Sequence, residues 1–512
     1  MKRKSLVVSR ANLLGLMFIA ITVITGIYSC GIIELKPKPV SSADNAPVTE
    51  LRSNDIKQLE SYRGYISKNL PFKQIRWEAV FLGEKIRRMS RYGDSLYVET
   101  DASRLYSINI KTGFRQWQVQ LPGPTDNFIS TVGDLPKKEA ELRKSLLAVE
   151  KEIAGESKRK DRDEDKIKYM KRQFQALQQE FLSLRMRDAI YLTCRGSLYC
   201  IDRSVGTILW QAQMDFVPGT TPCSTIASVF IGSLDFYRVY QIDTTLKYEK
   251  NWFKAAEPVS TTPIYENPTL YFGAHDGKVY AYDTIGHKLF WSFQTEKSIS
   301  TDMILDDDIL YVGATDFAVY GVDRYAGILL WKFESGAAIT TPMRLDKMVT
   351  QAARPAKTLP PSGEEKPPAE TGSEGSGATG ATDSVPAKMP DTISKTLYAY
   401  SDNNGLYALD LVTNSVIIKD EDPSRPDREK VLRRAKPRWK FEDGKYFLIR
   451  GWNRIYVMGL DNNTLYALGT GERLEIKEKY DLSLFPARYS DLNDGALYLA
   501  SPDGYLFSVK EP

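Results

Sequence analysis

Four cysteines and two histidines are the only side chains of their kind in this 512-residue chain, so its capacity for metal or nucleophilic chemistry is quickly judged. A zinc-type centre needs three or four His or Cys ligands at short spacing. His275 and His287 both fall near turn sequences, and predict no His-rich metal site. No Ser-His-Asp or Cys-His pattern is legible, and no Gly-rich loop that could cradle a phosphate. Cys30, Cys194, Cys200 and Cys223 include no adjacent pair. Cys194 and Cys200 flank a short turn and could pair, which geometry alone decides. The acidic run Asp306-Asp307-Asp308 has the oxygen ligands calcium prefers, but it stands where a hairpin needs its turn and reads as a solvated turn. No catalytic residue, metal ligand or cofactor is assigned, and the chain is expected not to be an enzyme.

The elements that would position any site repeat along the chain. An apolar strand ending in Asp or Asn, a turn and a second strand carrying Trp recur as SINIKTGFRQW, CIDRSVGTILW, AYDTIGHKLFW and GVDRYAGILLW. Asn109, Asp202, Asp283 and Asp323 stand eight positions before Trp117, Trp210, Trp291 and Trp331, and a looser copy runs from Asp243 to Trp252. From Asp202 the steps are 41, 40 and 40 residues, and the strand end returns at Asp410, Gly469 and Lys510. A period near forty points to a radial array. Tyr-rich alternating strands broken by turn residues precede each mark and read as hairpins. Each unit is thus a four-stranded antiparallel blade, A to D, with Trp on strand D, and there are eight.

The ends supply the closure. The chain stops after a strand C, whereas QIRWEAVF, with Trp77, is a strand D with nothing before it. Joining the two would remove two open sheet edges. The fold predicted is all-β: an eight-bladed β-propeller over 74–512, its last blade completed by an N-terminal strand. The structural repeat residues are Trp77, Trp117, Trp210, Trp252, Trp291, Trp331 and Trp439, with Asn109, Asp202, Asp243, Asp283, Asp323 and Asp410. The Trp residues read as packing between blades rather than as a stack for a cofactor.

The phrase Leu-Tyr-Ala-Leu-Asp, a turn with Gly, then a strand ending in Trp, most complete at 279–291 and 319–331, resembles the repeat of the pyrroloquinoline-quinone-like (PQQ-like) propellers. That family includes quinone-dependent dehydrogenases and also non-enzymatic lipoproteins such as the BamB-like component of the outer-membrane barrel-assembly machinery. Fold alone does not choose between them. The resemblance implies, for a dehydrogenase, a vicinal Cys-Cys disulfide, a calcium held by acidic and amide groups and a catalytic Asp. The chain has no Cys-Cys pair.

Targeting narrows the choice. Lys2, Arg3, Lys4 and Arg10 precede the apolar run ANLLGLMFIAITVITGI, followed by Tyr28, Ser29 and Cys30. This is the layout of a secretory signal, here 1–29, and Ile27-Tyr28-Ser29-Cys30 resembles a bacterial lipobox, with Cys30 the lipidated first residue. Tyr28 departs from the usual small or aliphatic residue. The competing reading is an uncleaved anchor, since about 17 apolar residues approach the lower limit for a span. Both put the propeller outside the cytoplasm. The formal charge of the chain is +4, which the four basic residues of the signal account for. A near-neutral remainder excludes a nucleic-acid groove. Residues 30–73 read as a polar tether with a short helix at 54–70.

Excess over the period locates three insertions. The first, 134–187, places apolar residues at intervals of three and four in two segments around the charged GESKRKDRDED, and predicts a helical hairpin with a heptad-like seam. The second, 346–394, is rich in Pro, Gly, Ser and Glu and reads as a disordered linker. The third, 419–437, reads as a charged loop. The first two leave between strands A and B and the third between C and D. Because strands alternate in direction, these exits share one face, while the D-to-A and B-to-C face keeps short loops.

The expectation is therefore a non-catalytic, lipid-anchored scaffold of the cell envelope, on the periplasmic face of the outer membrane, binding envelope proteins such as the outer-membrane barrel-assembly machinery. The alternatives are a PQQ-dependent extracytoplasmic dehydrogenase and a cell-surface sensor or adhesive lipoprotein.

Overall fold

In the computed structural model, which describes residues 52–512 apart from 160, 162, 186, 351–391, 419–427, 493 and 512, eight antiparallel sheets of four strands follow one another. The signal, Cys30 and most of the second insertion lie outside the described residues. Strand D of blade eight is the N-terminal strand Gln74–Val80, which pairs antiparallel with the C-terminal strand Tyr505–Lys510, from Gln74 opposite Lys510 to Val80 opposite Tyr505. The ring closes as the sequence requires, and blade eight is completed to four strands with the N-terminal strand as its strand D.

A three-residue row across each regular blade explains why these residues make this sheet. Tyr97 of strand B, Ser107 of strand C and Trp117 of strand D share a register position. The same row is Tyr191, Cys200, Trp210 in blade two and Tyr271, Ala281, Trp291 in blade four. It is Tyr311, Gly321, Trp331 in blade five, Tyr398, Ala408, Trp439 in blade six and Tyr498, Ser508, Trp77 in blade eight. The small central residue lets the indole lie across strand C until it meets the tyrosine. The ring centroids are 5.8 to 6.0 Å apart in every such pair, an aromatic contact of about 0.5–1.5 kcal/mol beyond the area it buries.

The indole then reaches the next blade. Trp77 Nε1 donates to Ile110 O at 2.6 Å, Trp117 Nε1 to Arg203 O at 2.9 Å and Trp291 Nε1 to Arg324 O at 3.1 Å. Each acceptor sits in the C-to-D turn that opens with Asn109, Asp202 or Asp323. The Oδ1 atom of that residue accepts backbone N–H groups two and three residues on, for example Ser204 N at 2.8 Å and Val205 N at 3.2 Å for Asp202. Gly113 and Gly206 lie in the left-handed region, φ +75° and +74°, directly under the rings. A Cβ there would approach Trp77 to 2.8 Å and Trp117 to 2.5 Å, so only glycine fits.

Three expectations are corrected. The tether does not extend to residue 73: helix α1, Ser53–Asn69, is packed on the propeller. Leu59, Tyr62, Ile66, Leu70 and Phe72 are buried between blades seven and eight, with Tyr62 5.5 Å from the ring of Tyr505 and Phe72 4.8 Å from Tyr456. Apolar residues three and four apart make one helical face, and full burial of each stabilises by roughly 1.5–3 kcal/mol. Tyr62 Oη donates to Asp503 at 2.8 Å in a B-to-C turn, so α1 lies on the face opposite the insertions.

The segment 419–437 is not simply a loop. Strand C of blade six runs from Gly405 to Ile418 and strand D from Arg428 to Phe441, paired as far as Ile418 opposite Arg428. Beyond Leu411, the last strand C residue paired with strand B, the two form a ribbon that extends about 23 Å at the usual rise per residue. Strands A (Arg344–Thr350) and B (Thr392–Ser401) likewise run into the second insertion from both sides. Asp410 consequently opens no turn. It accepts the fork of Arg438, Nε at 2.9 Å and Nη2 at 2.7 Å, and the hydroxyl of Thr396 at 3.2 Å.

The third correction is Trp252. Its strand carries one residue more after Asp243 than the other copies, and Asn251, not Trp252, takes the row position opposite Gln241. A one-residue slip turns a side chain to the other face of a sheet. Trp252 is 42% exposed, whereas Trp77, Trp117, Trp210, Trp331 and Trp439 are no more than 8% exposed.

Candidate functional site

The face made by A-to-B and C-to-D turns carries the additions. Helices α2, Leu135–Ser157, and α3, Glu164–Arg185, form the hairpin of the first insertion. Its base is rooted: Leu135, Leu142 and Leu184 join Tyr191, Trp210, Phe216 and Val229 in one core under blades two and three, and Asp134 Oδ1 accepts Ile226 N at 2.8 Å. Near the far end, Glu156 accepts Lys166 Nζ at 3.1 Å and Arg159 Nη1 at 3.2 Å. At 1.5 Å per residue α2 reaches about 34 Å, and Leu147, Tyr169 and Leu182 stand exposed along the arm.

The acidic run of blade five lies on the same face, and it forms the expected A-to-B turn, with Asp307 exposed and Asp308 half-buried, but its first residue is not solvated. Asp306 is 5% exposed and pairs with Lys347 and with Lys395, whose Nζ is 2.6 Å away. Asp307 pairs with Lys395, and Asp308 accepts Arg433 Nη2 from the ribbon at 3.2 Å. Lys395 holds the Asp307 carboxyl below its ordinary range by hydrogen bond and charge. Each carboxylate already has a cationic partner, so the run is the fastening between blades five and six. Beside it an open cleft of about 480 Å³ lies between Trp331 and the base of the ribbon, Leu411, Val412 and Thr413. Here the next blade offers no glycine turn for the indole to cover.

The histidines stand on opposite faces: His275 is in the B-to-C turn of blade four and His287 in its C-to-D turn. Both are exposed, and they cannot share a metal ion. Among the described residues no group of three or more His, Cys, Asp or Glu could hold one. Cys194, Cys200 and Cys223 are free thiols. Cys194 stands opposite Ser197 and Cys200 opposite Tyr191 in adjacent strands, so the two are not in a disulfide. Burial pushes Cys200 and Cys223 each up to about 12, which leaves almost no thiolate at neutral pH.

The short-loop face offers something different. Val217, Leu234, Phe236 and Tyr237 are 52%, 44%, 49% and 41% exposed, all at one corner of blade three. Leu234 N donates to Val217 O at 3.0 Å, and the Asp235 carboxylate accepts Val217 N at 3.2 Å, which holds the B-to-C turn against the incoming D-to-A segment. The guanidinium of Arg238 lies 4.1 Å over the outward ring of Trp252 and 6.0 Å from that of Phe236. Five apolar side chains and one arginine thus form a continuous surface, with residue types typical of interface anchors. The repeat pattern hides this patch, because it marks Trp252 as a packing residue. The nine-residue spacing from Asp243 is the signal that it is not.

The family described as Outer membrane protein assembly factor BamB matches residues 73–244 and 194–426. Among solved structures, the chain is similar in fold to BamB from Moraxella catarrhalis, at 11% identity and a TM-score of 0.49, covering 85% of this chain and 97% of that one. It is similar also to the computationally designed Ika8 protein, at 10% identity and a TM-score of 0.46, covering 83% and 96%. No curated protein matches by sequence. With the match running through most of the propeller, the chain belongs to the BamB family of PQQ-like β-propellers.

Proposed function

We propose that this protein is a non-catalytic scaffold of the cell envelope, anchored through a lipid on Cys30, that docks other envelope proteins and supports assembly of outer-membrane β-barrels. The observation that carries the reading is the patch of Val217, Leu234, Phe236, Tyr237 and Trp252 on the short-loop face. A propeller whose repeat tryptophans pack inward presents one outward, beside an arginine and a phenylalanine, where loops are short and approach is open. Aromatic and arginine side chains clustered in this way supply most of the energy of a protein interface. Family membership supports the choice of partner. No helix of the described residues is long and apolar enough to cross a membrane, so membrane attachment in this reading falls to the N-terminal segment.

The test is a photo-crosslinking residue at Phe236 in intact cells, with one at Tyr169 on the helical arm as the comparison site. The expected result is one crosslinked partner at 236, identified by mass spectrometry as a component of the barrel-assembly machinery, with lower barrel-protein levels in cells lacking the scaffold. The reading is overturned by no partner at 236 together with normal barrel-protein levels.

A further inference from the structure

The innermost strands hold a positive charge that no described residue neutralises. Arg344 opens strand A of blade six, and its Nη1 donates to Ser490 Oγ at 3.0 Å on strand A of blade eight, Ala487–Asp491. The acidic side chains around it are committed elsewhere. Asp346, two residues on, is held by Arg450 of blade seven through Nε at 2.6 Å and Nη2 at 2.5 Å, and Asp491 pairs with Arg91 of blade one. Lys347 turns to Asp306. Three arginines, Arg91, Arg344 and Arg450, therefore meet two carboxylates, and Arg344 is in no ion pair among the described residues. The polar groups that face it besides Ser490 are the phenols of Tyr489 and Tyr446.

The position of this surplus charge is chemically specific. Arg344, Tyr489 and Ser490 line an open cleft of about 430 Å³, and none of the guanidinium nitrogens is sealed from it without a partner. A cation withdrawn from water without a counter-ion is costly, and a guanidinium presents paired N–H donors that match the oxygens of a carboxylate or phosphate. Ser490 accepts from Arg344, so its own hydroxyl hydrogen is available to a second acceptor, and Tyr489, which carries a hydroxyl, lines the same cleft. Asp346 and Asp491 border the cleft, but their charges are cancelled by Arg450 and Arg91.

We propose that this cleft is a binding site for one small oxyanion, carboxylate or phosphate, on Arg344 with Ser490 and Tyr489. The ion would bridge blades six and eight, which are not neighbours in the ring, and stiffen the inner wall between them.

The experiment is calorimetric titration of the full chain in detergent with succinate and, separately, with inorganic phosphate, at ionic strength held constant with sodium chloride. One saturable site is expected below about 10 mM ligand, the weak end of specific binding. A preference for succinate assigns a carboxylate, a preference for phosphate assigns a phosphoryl group, and equal binding assigns recognition of oxyanion charge alone. Arg344→Met should lower the affinity at least about tenfold, the value of one lost charge-assisted pair, while Arg344→Lys keeps part of it. The unfolding temperature of Arg344→Met in chloride buffer free of carboxylate and phosphate, expected at or above that of the parent because the surplus charge is gone, separates lost binding from lost folding. No saturable heat with either anion, or unchanged affinity in a folded Arg344→Met, overturns the proposal.

Discussion

The junction between blades one and two and the junction between blades three and four use the same backbone and opposite chemistry. At the first, Trp117 is 4% exposed, crosses Ser107 to reach Tyr97, and covers Gly206 of the next blade. At the second, the row reads Phe230, Gln241, Asn251, and the turn position that Gly206 fills is occupied by His287, φ +52°. Asn251 Nδ2 meets His287 Nδ1 there. Glycine is required where the ring lies directly on the turn, as over Gly113 and Gly206, but a packed indole alone does not demand it: Lys247, φ +62°, holds the same position in blade three although Trp210 of blade two is 7% exposed. At the second junction the indole is withdrawn, and the displaced tryptophan becomes available at the surface. A propeller gains an external aromatic through a one-residue slip in a single strand, with no change in the ring.

The sharpest way to break this contrast is at the first junction. Trp117→Ala should cost about 3–5 kcal/mol, as buried aromatic truncations do. Gly206→Ala should cost about 2 kcal/mol or more, since it adds left-handed strain of roughly 1–2 kcal/mol to a contact at 2.5 Å. Denaturant midpoints at unchanged slope would measure both. The mirror substitution His287→Gly should cost a few tenths of a kcal/mol. Equal losses at 206 and 287 would show that the turn, and not the tryptophan, selects the glycine.

The second junction can also be converted. Asn251→Trp alone should destabilise by about 1–3 kcal/mol, because Gln241 and His287 occupy the space an indole needs. Adding Gln241→Ala and His287→Gly should return at least half of that loss, with a coupling of roughly 0.5–3 kcal/mol in a mutant cycle. Additive behaviour would refute the row as a unit. A smaller effect separates the turn from the ring: Asp202→Ala removes the acceptor of Ser204 N and Val205 N and should cost about 0.5–1.5 kcal/mol. The corresponding Asp410→Ala should act differently, because Asp410 holds Arg438 instead of a turn. Its loss leaves a partly buried guanidinium without its carboxylate.

What the sequence makes legible follows from what sets each element. The period, the count of eight and the closing strand are written in spacing, and spacing survives divergence because blades must stay the same size to close. The hairpin of α2 and α3 is legible for the same reason, through Ile167, Met170, Leu177 and Leu184 at helical intervals. Helix α1 is legible as a helix at 54–70, but its docking is not, since it covers the propeller with only one face and its Lys, Arg and Glu residues make it read as part of a polar tether. The ribbon is hidden by charge: REKVLRRAK looks like a loop until strand C supplies Val412–Ile418 as its partner, and that pairing is a tertiary fact. The cations that close on Asp306, Asp307 and Asp308 come from residues 347, 395 and 433, too far along the chain for local reading to join them.

The smallest expected change in stability tests the largest functional claim. Trp252 packs on Arg238 at the surface, and an exposed cation–π contact contributes about 0.5–1 kcal/mol, so Trp252→Ala should leave the denaturant midpoint nearly unmoved. If the outward turn of this side chain serves docking, the same substitution should abolish the crosslink at 236, because a central aromatic anchor of an interface is worth about 2 kcal/mol or more. Trp117→Ala, at a fully packed copy of the same residue, should show the reverse: low stability, yet a retained crosslink in whatever fraction stays folded. Loss of crosslinking in both variants in proportion to folded protein would assign Trp252 to the fold and leave the patch without its anchor.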